Sequence, residues 1–279
     1  MRRLHVVSDP AFCARYGPTA LVAGAAVGLG AEYARQLAAK GLDLVLLDRD
    51  GDPLEATCAA IRSTAGVEVR PVAVDLARSD LIEVIQPAIA DRGIDLLVCN
   101  AALGTVSPFL AIDPPQAQAM LDVNCRAPLL LAHALVPDMV ARARGGVILM
   151  SSLSGSFGSA QLAVYAATKA FTLVLADALW VELRAHGVDV LAVQPGSTRT
   201  PGWQASQPAA SDQAAPVPVM EPADVVREAL ATLGLEPHLV PGEINRQAAV
   251  ALAGLPRRQV IELMSAITAT LVPNYPPRR

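Results

Sequence analysis

Two side chains that could exchange a proton with a substrate stand four residues apart in the sequence. Tyr165 and Lys169 occupy positions i and i+4, so in a helix they lie on the same face. A tyrosine is a poor base near neutral pH because its ordinary pKa is about 10. A nearby ammonium group stabilises the phenolate and lowers this pKa, so the pair could act in general acid–base catalysis. A Tyr-x-x-x-Lys pattern alone is also compatible with an exposed helix pair.

A serine before this pair strengthens the catalytic interpretation. Ser152 follows the apolar run Val147–Met150 and precedes Tyr165 by thirteen residues. A hydroxyl at the end of a strand can donate a hydrogen bond to a substrate carbonyl from the side opposite to a tyrosine. The three side chains together therefore predict proton transfer to or from a carbonyl oxygen.

A glycine-rich turn lies between the first apolar run and the helix that follows it. Gly24 permits a tight turn, while Gly28 and Gly30 let the backbone and the helix approach closely. The amides and the positive dipole end of the helix N-terminus would then face a pyrophosphate. With a strand before it and a helix after it, the turn predicts a nucleotide-binding loop that includes Ala26 and Leu29. An ordinary strand-to-helix turn is the alternative.

The end of the second apolar run carries residues that bear on cofactor choice. Asp48 lies 18 residues after Gly30, close to the spacing at which an acid binds the adenosine ribose. Its carboxylate would accept hydrogen bonds from the ribose hydroxyls and repel a 2′-phosphate, whereas the adjacent Arg49 would attract one. Because an arginine can turn away to solvent, the pair favours NAD over NADP. Asp48 could instead only cap a turn.

Short apolar runs alternate with helical patterns along the whole chain. The runs are apolar on both faces, which is typical of a parallel sheet covered by helices on each side. The pattern predicts an α/β fold with a doubly wound, Rossmann-type parallel sheet. It has an N-terminal arm (1–18) and a single domain (19–279), which includes a substrate loop or lid (201–220) and a C-terminal extension (236–279). The predicted strands are Ala20–Ala23, Leu44–Leu47, Val69–Val74, Leu96–Cys99, Val147–Met150 and Val188–Val193.

Over about residues 19–235 the sequence resembles the short-chain dehydrogenases. Its glycine-rich loop is similar to their T-G-x-x-x-G-x-G loop, with Ala23 at the threonine position, and Ser152, Tyr165 and Lys169 match their catalytic motif. The resemblance implies that Tyr165 exchanges the proton, that Lys169 also binds the nicotinamide ribose, and that Ser152 orients the carbonyl. Asn124 matches an asparagine that holds a water linking the lysine to solvent. By the same resemblance, the cofactor would contact Asp75, Leu76, Asn100, Ala101, Ala102, Pro195, Gly196, Thr198 and Thr200.

Composition argues against several other classes of protein. The net charge is −4 without a basic run, so nucleic acid and anionic membrane are not expected partners. Cysteines lack metal-ligand spacing and each histidine stands alone, so no metal site is predicted. No uninterrupted apolar run reaches the ~20 residues of a spanning helix, and the start of the chain lacks the apolar core of a signal peptide. We therefore expect a cytoplasmic protein that does not span a membrane.

The resemblance, together with these residues, implies an oxidoreductase that moves a hydride between a nicotinamide cofactor and a carbonyl or alcohol. The lead-in Arg15–Pro18 and the helix start Glu32–Ala34 resemble the branch acting on steroids and long acyl chains, which implies a bulky, apolar small-molecule substrate. The family resemblance also implies a homodimer or homotetramer. A catalytically silent nucleotide-binding protein, or a lyase or epimerase on the same fold, are the alternatives.

Overall fold

A computed structural model describes residues 9–205 and 219–269 of the chain. Within these residues a single parallel sheet of seven strands has the order β3-β2-β1-β4-β5-β6-β7. The order reverses direction beside β1, which is the arrangement of a doubly wound sheet and confirms the predicted fold class. The strands are β1 (Thr19–Ala23), β2 (Asp43–Asp48), β3 (Val69–Ala73), β4 (Ile94–Cys99), β5 (Gly145–Met150), β6 (Val188–Val193) and β7 (His238–Leu239).

Helices cover both faces of the sheet. One buried cluster includes side chains of α1, α2, α3 and α9, and the other includes side chains of α4, α6 and α7. Strands β1, β4 and β5 are buried along their whole length because both of their faces are covered. The helices are α1 (Pro10–Tyr16), α2 (Gly28–Lys40), α3 (Gly51–Thr64), α4 (Leu81–Ile89), α5 (Pro114–Leu121), α6 (Ala127–Ala141), α7 (Ala163–Arg184), α8 (Pro201–Ala205), α9 (Pro222–Thr232), α10 (Glu243–Ala253) and α11 (Arg257–Ala269).

Six of the seven strands lie where the apolar runs predict them, within two residues at each end. The sequence does not predict β7, because its two residues are too few to form a recognisable run. Its pairing with β6 depends instead on the tertiary contact between His238 and Ala192 and between Leu239 and Val193.

Helix α1, in the predicted N-terminal arm, packs against the sheet. Phe12 and Tyr16 are buried in the core cluster that includes α2. The Tyr16 hydroxyl donates a hydrogen bond to Asp189 on β6 at 2.8 Å, and Arg15 forms an ion pair with the same carboxylate at 2.6 Å. The remainder of the arm (1–8), most of the predicted substrate loop (206–218) and the end of the C-terminal extension (270–279) lie outside the described residues.

Among the residues that the structure describes, two helical stretches are long and apolar enough to cross a membrane by length and composition, Pro114–Ala141 and Ala163–Arg184. Core helices of soluble proteins pass the same test. Here α6 and α7 contribute to the buried cluster on one face of the sheet. The expectation that the chain does not span a membrane stays a prediction.

Candidate active site

The glycine-rich loop after β1 packs tightly against the loop after β4. A Cβ atom at Gly24 would lie 2.6 Å from the Cα of Ala101, and one at Gly30 would lie 1.8 Å from the Gly24 carbonyl oxygen. Gly24 and Gly28 also have positive φ angles of 83° and 60°. A side chain at Gly24 or Gly30 would therefore displace the loop.

The first turn of α2 is open to an anionic ligand. Val27 precedes the helix and supplies no side-chain hydrogen bond to it, so the amides that follow are not capped by an acid or hydroxyl. The helix has 13 residues, long enough for its N-terminus to favour negative charge. Ala26 is buried below this turn, and Leu29 is half-buried within it. The loop and helix thus fit the pyrophosphate of a dinucleotide.

Asp48, at the end of β2, accepts hydrogen bonds from the glycine-rich loop and from the turn after β2. Asp48 Oδ2 accepts a hydrogen bond from the Ala26 amide at 2.9 Å, and Oδ1 accepts one from the Asp50 amide at 3.2 Å. The Arg49 side chain is 61% exposed, and its Nε lies 3.5 Å from a carboxylate oxygen of Asp50. Asp48 therefore braces two turns while remaining half-buried at the edge where a ribose would lie.

The loops after β3 and β4 complete the adenosine side of the site. Asn100 donates a side-chain hydrogen bond to the Gly24 carbonyl at 2.8 Å, and the Ala101 amide donates to the Ala23 carbonyl at 2.8 Å. Leu76 is buried and lines a narrow crevice with Ala101. Ala102 and Asp75 are exposed; the Asp75 carboxylate accepts a hydrogen bond from the Ala77 amide at 2.8 Å.

The turn after β6 runs beside the glycine-rich loop. A Cβ atom at Gly28 would lie 3.2 Å from the Thr200 side chain, so the two turns are in close contact. Pro195 is buried, and its carbonyl accepts a hydrogen bond from the segment after β5 at 3.2 Å. Thr198 donates its hydroxyl to the Gly196 carbonyl at 3.2 Å. This turn lies between the glycine-rich loop and the segment that carries Ser152.

Tyr165 and Ser152 lie together at the carboxyl end of β5. Ser152 follows the strand, and its hydroxyl accepts a hydrogen bond from the Ser154 amide at 3.2 Å. The same hydroxyl lies near enough to the Tyr165 phenol to affect its pKa. Gly104 lies against the tyrosine ring, since a Cβ atom there would be 3.1 Å from a ring carbon. Burial raises the pKa of Tyr165, and the nearby Ser152 hydroxyl offsets part of that rise.

Lys169 is buried beneath the tyrosine, one helical turn further along α7. It is 3% exposed, and its ammonium donates a hydrogen bond to the Met150 carbonyl at 2.7 Å. Burial lowers the pKa of Lys169 to about 8. Its Nζ lies 5.7 Å from the centroid of the Tyr165 ring. The prediction that the two residues share a face of α7 is confirmed. The predicted lowering of the Tyr165 pKa is wrong in this structure, because burial of the phenol raises that pKa.

Asn124 lies in a π-helical turn, Asp122–Arg126, between α5 and α6. Its amide oxygen accepts a hydrogen bond from the Leu103 amide, and its nitrogen donates to the Leu103 carbonyl, both at 2.8 Å. The same nitrogen donates to the Thr168 hydroxyl at 2.9 Å. The side chain therefore fixes the loop after β4. The expectation that Asn124 also holds a water stays a prediction. π-helical turns of this kind occur often at functional sites.

Sequence reasoning missed two supporting residues. The Thr168 hydroxyl donates to the Tyr165 carbonyl at 2.8 Å and links it to Asn124. The Ser151 hydroxyl donates to the Lys169 carbonyl at 2.8 Å and ties α7 to β5. Their positions beside Asn124 and Ser152 depend on tertiary packing, so only adjacency to Ser152 or Lys169 in the sequence could have drawn attention to them.

Comparison with known proteins identifies relatives over most of the chain. A family model described as short chain dehydrogenase matches residues 18–211. A 7beta-hydroxysteroid dehydrogenase of Clostridium sardiniense is 32% identical over 236 residues, which cover 85% of this chain and 90% of the relative.

Solved structures agree with that result. A structure of a 7beta-hydroxysteroid dehydrogenase has a TM-score of 0.85 at 27% identity, with 91% of this chain and 98% of the other covered. A short-chain dehydrogenase from Sphingobium yanoikuyae in complex with NADPH has a TM-score of 0.73 at 31% identity, with coverage of 89% and 96%.

Proposed function

We propose that Tyr165 transfers the proton in the reaction of this protein. The chain belongs to the short-chain dehydrogenase family and is an oxidoreductase that binds a nicotinamide cofactor. The observation that carries this proposal is the placement of the Tyr165 phenol near the Ser152 hydroxyl, with the ammonium of buried Lys169 5.7 Å from the centroid of the tyrosine ring. A raised pKa keeps the phenol protonated at neutral pH, which suits a proton donor to a carbonyl oxygen. When bound, the nicotinamide supplies or accepts the hydride.

The neighbouring side chains would position the reacting carbonyl and hold charge. Ser152 would donate its hydroxyl to the carbonyl oxygen from the side opposite to Tyr165. Lys169 would bind the nicotinamide ribose and place a positive charge near the phenol, where it favours loss of the proton. Asn124 would act indirectly, because it fixes the loop after β4 and holds Thr168 against the Tyr165 carbonyl.

The glycine-rich loop, the first turn of α2 and the turn after β6 would hold the cofactor. Gly24, Gly28 and Gly30 leave room where side chains would intrude, and the uncapped amides of α2 favour the pyrophosphate. Pro195 and Thr200 belong to the turn that would hold the nicotinamide end.

We propose a preference for NAD over NADP. The supporting observation is the half-buried carboxylate of Asp48, which would repel a 2′-phosphate, while exposed Arg49 lies near Asp50. The NADPH complex of the Sphingobium yanoikuyae relative is a reason to test this directly. The Asp48→Asn variant retains an acceptor for the Ala26 amide but removes the charge. We expect the ratio of NADPH to NADH affinity to rise at least ~10-fold, a free-energy change of about 1.4 kcal/mol, measured by nicotinamide fluorescence. An unchanged ratio would show that Asp48 does not act on the ribose.

A bulky, apolar ketone or alcohol is the proposed substrate. Half-buried apolar side chains on the segments around Ser152 and Tyr165 support this class, and so does the steroid substrate in the name of the Clostridium sardiniense relative. These side chains are Leu153, Phe157, Leu162 and Val164, and half-buried Trp203 on α8 is a further apolar side chain in the turn region after β6. The test is reduction of 7-oxosteroids by purified protein with NADH or NADPH, followed by loss of nicotinamide absorbance. Tight cofactor binding without turnover of any 7-oxosteroid would contradict this substrate class.

The homodimer or homotetramer expected from the sequence remains a proposal. Helix α7 exposes Phe171, Val174 and Val181, of which the last two are 65% and 59% exposed. An apolar helix surface of this kind is often covered by a second subunit. Light scattering of the purified protein measures this directly, and a monomeric mass at micromolar concentration would contradict it. A cytoplasmic location is also proposed, supported by the four free cysteines, and cell fractionation tests it.

A further inference from the structure

A buried glutamine stands four residues before Tyr165, in the segment that leads into α7. The Gln161 carbonyl accepts a hydrogen bond from the Ser107 amide at 2.9 Å, so the segment after β4 meets the segment before α7 at this point. Gly104 in the same segment after β4 lies against the ring of Tyr165. Gln161 therefore belongs to the wall beside the proton-transferring tyrosine.

The side-chain oxygen of Gln161 has no hydrogen-bond partner within residues 9–205 and 219–269. The residue is 8% exposed, and its Oε1 atom is fully buried. A buried acceptor without a donor is destabilising, and such groups are rare in folded proteins. Gln194 provides a contrast: it is 6% exposed, and its Oε1 accepts a hydrogen bond from the Ser156 hydroxyl at 2.9 Å.

The backbone around Gln161 is held in place from two sides. Gln161 has a φ of 66°, a left-handed conformation that non-glycine residues adopt infrequently. The two residues before it are bound to α11: the hydroxyls of Ser159 and Thr268 lie 2.7 Å apart, and the Ala160 amide donates to Ser265 at 3.0 Å. Strained, over-determined backbone of this kind is concentrated at ligand sites. Gln161 is thus fixed beside the reaction centre with an unsatisfied acceptor.

We propose that Gln161 Oε1 accepts a hydrogen bond from a hydroxyl group of the substrate, remote from the carbon that exchanges the hydride. This inference rests on the proposed function. It narrows the substrate class to bulky ketones that also carry a hydroxyl group away from the ketone carbon. A substrate without that hydroxyl leaves the buried acceptor unpaired, which is how a polar group in an apolar site discriminates between analogues.

The first test compares substrates. A parent 7-oxosteroid without hydroxyl groups is assayed beside derivatives that each carry one ring hydroxyl at a different carbon, with wild type and Gln161→Met. We expect wild type to prefer at least one hydroxylated derivative about 10-fold in kcat/KM, and the variant to lose that preference. The parent ketone has no hydroxyl to pair with Oε1, so each protein's kcat/KM for the hydroxylated derivatives is divided by its own value for the parent ketone. A preference that is unchanged in Gln161→Met overturns the inference.

The second test needs no substrate. Methionine has the length of glutamine and is also unbranched at Cβ, so the backbone conformation at residue 161 costs about the same in both proteins. Replacing an unpaired acceptor should raise the Tm of Gln161→Met by about 2 °C or more, whereas Gln194→Met breaks a hydrogen bond and should lower it. A Tm for Gln161→Met that falls as far as that of Gln194→Met overturns the inference, because the oxygen then has a partner.

These two measurements separate the inference from the function on which it rests. If wild type binds NADH or NADPH but turns over no 7-oxosteroid, the proposed substrate class fails. The Gln161 inference, which names part of that substrate, then fails with it, and the Tm comparison reports only whether the Gln161 oxygen is unpaired. If the ketones react and only the hydroxyl preference is missing from wild type, the proposed function stands and the Gln161 inference is overturned.

Discussion

Replacing Lys169 by methionine should make the stability of the protein respond differently to pH. The ammonium is buried, and burial lowers its pKa to about 8 from an ordinary 10.5. Between these two values the unfolded chain binds a proton that the folded chain does not. Stability therefore rises with pH across this window, and the cost of burying the charge is fully present below pH 8.

The size of the effect follows from the two pKa values. Proton linkage with a folded pKa of about 8 and an unfolded pKa of 10.5 gives a penalty of about 3 kcal/mol at pH 7 and about 1 kcal/mol at pH 10. Wild type should therefore gain about 2–3 kcal/mol of unfolding free energy relative to Lys169→Met between these pH values. Comparing the two proteins cancels the titration of groups that they share.

The assay is urea unfolding of both proteins without cofactor at several pH values from 7 to 10. At pH 7 the loss of the hydrogen bond from Lys169 to the Met150 carbonyl opposes the gain from removing the buried charge. The pH dependence of the difference is consequently the diagnostic quantity. A difference that stays constant across this range would refute the reasoning, because it would show that Lys169 is not desolvated as its burial implies.

Two further changes test the loop and the N-terminal helix. Gly30→Ala places a Cβ atom 1.8 Å from the Gly24 carbonyl oxygen and should weaken NADH binding at least ~10-fold, or about 1.4 kcal/mol. Gly158→Ala, where a Cβ atom meets nothing within 4 Å, should bind NADH as wild type does in the same fluorescence titration, and equal affinities for both variants would contradict the account. Tyr16→Phe removes a hydrogen bond to Asp189 and should cost about 1.5–3 kcal/mol in urea unfolding, because the acceptor is charged; a loss below about 0.5 kcal/mol would mean that this contact does not anchor α1.

The sheet could be predicted from the sequence because its strands are apolar on both faces. Strand β6 is the clearest case, since the run Val188–Val193, apolar except for Asp189, is a strand with the same limits in the structure. Short elements and irregular helices could not be predicted in this way. The π-helical turn Asp122–Arg126 interrupts no apolar pattern, because α5 and α6 continue on either side of it. Only the tertiary contact of Asn124 with Leu103 reveals its role.

The site was predictable in its residue types but not in its electrostatics. The spacing of Ser152, Tyr165 and Lys169 fixes which side chains meet, because a strand end and a helix face impose their positions. Whether the Tyr165 pKa rises or falls depends on the balance between burial and nearby charge, which requires the packed structure. The unpaired side-chain oxygen of Gln161 likewise could not be predicted, because the sequence does not show which glutamines are buried without a hydrogen-bond donor.

The most direct test of proton transfer by Tyr165 is a comparison of wild type, Tyr165→Phe and Tyr16→Phe in 7-oxosteroid reduction. Tyr16→Phe is the control, because it also removes a tyrosine hydroxyl, but from the N-terminal helix α1. We expect Tyr165→Phe to bind NADH within about twofold of wild type and to lose at least ~10²-fold in kcat, whereas folded Tyr16→Phe retains its activity. Near-normal turnover by Tyr165→Phe, with NADH binding intact, would contradict this expectation.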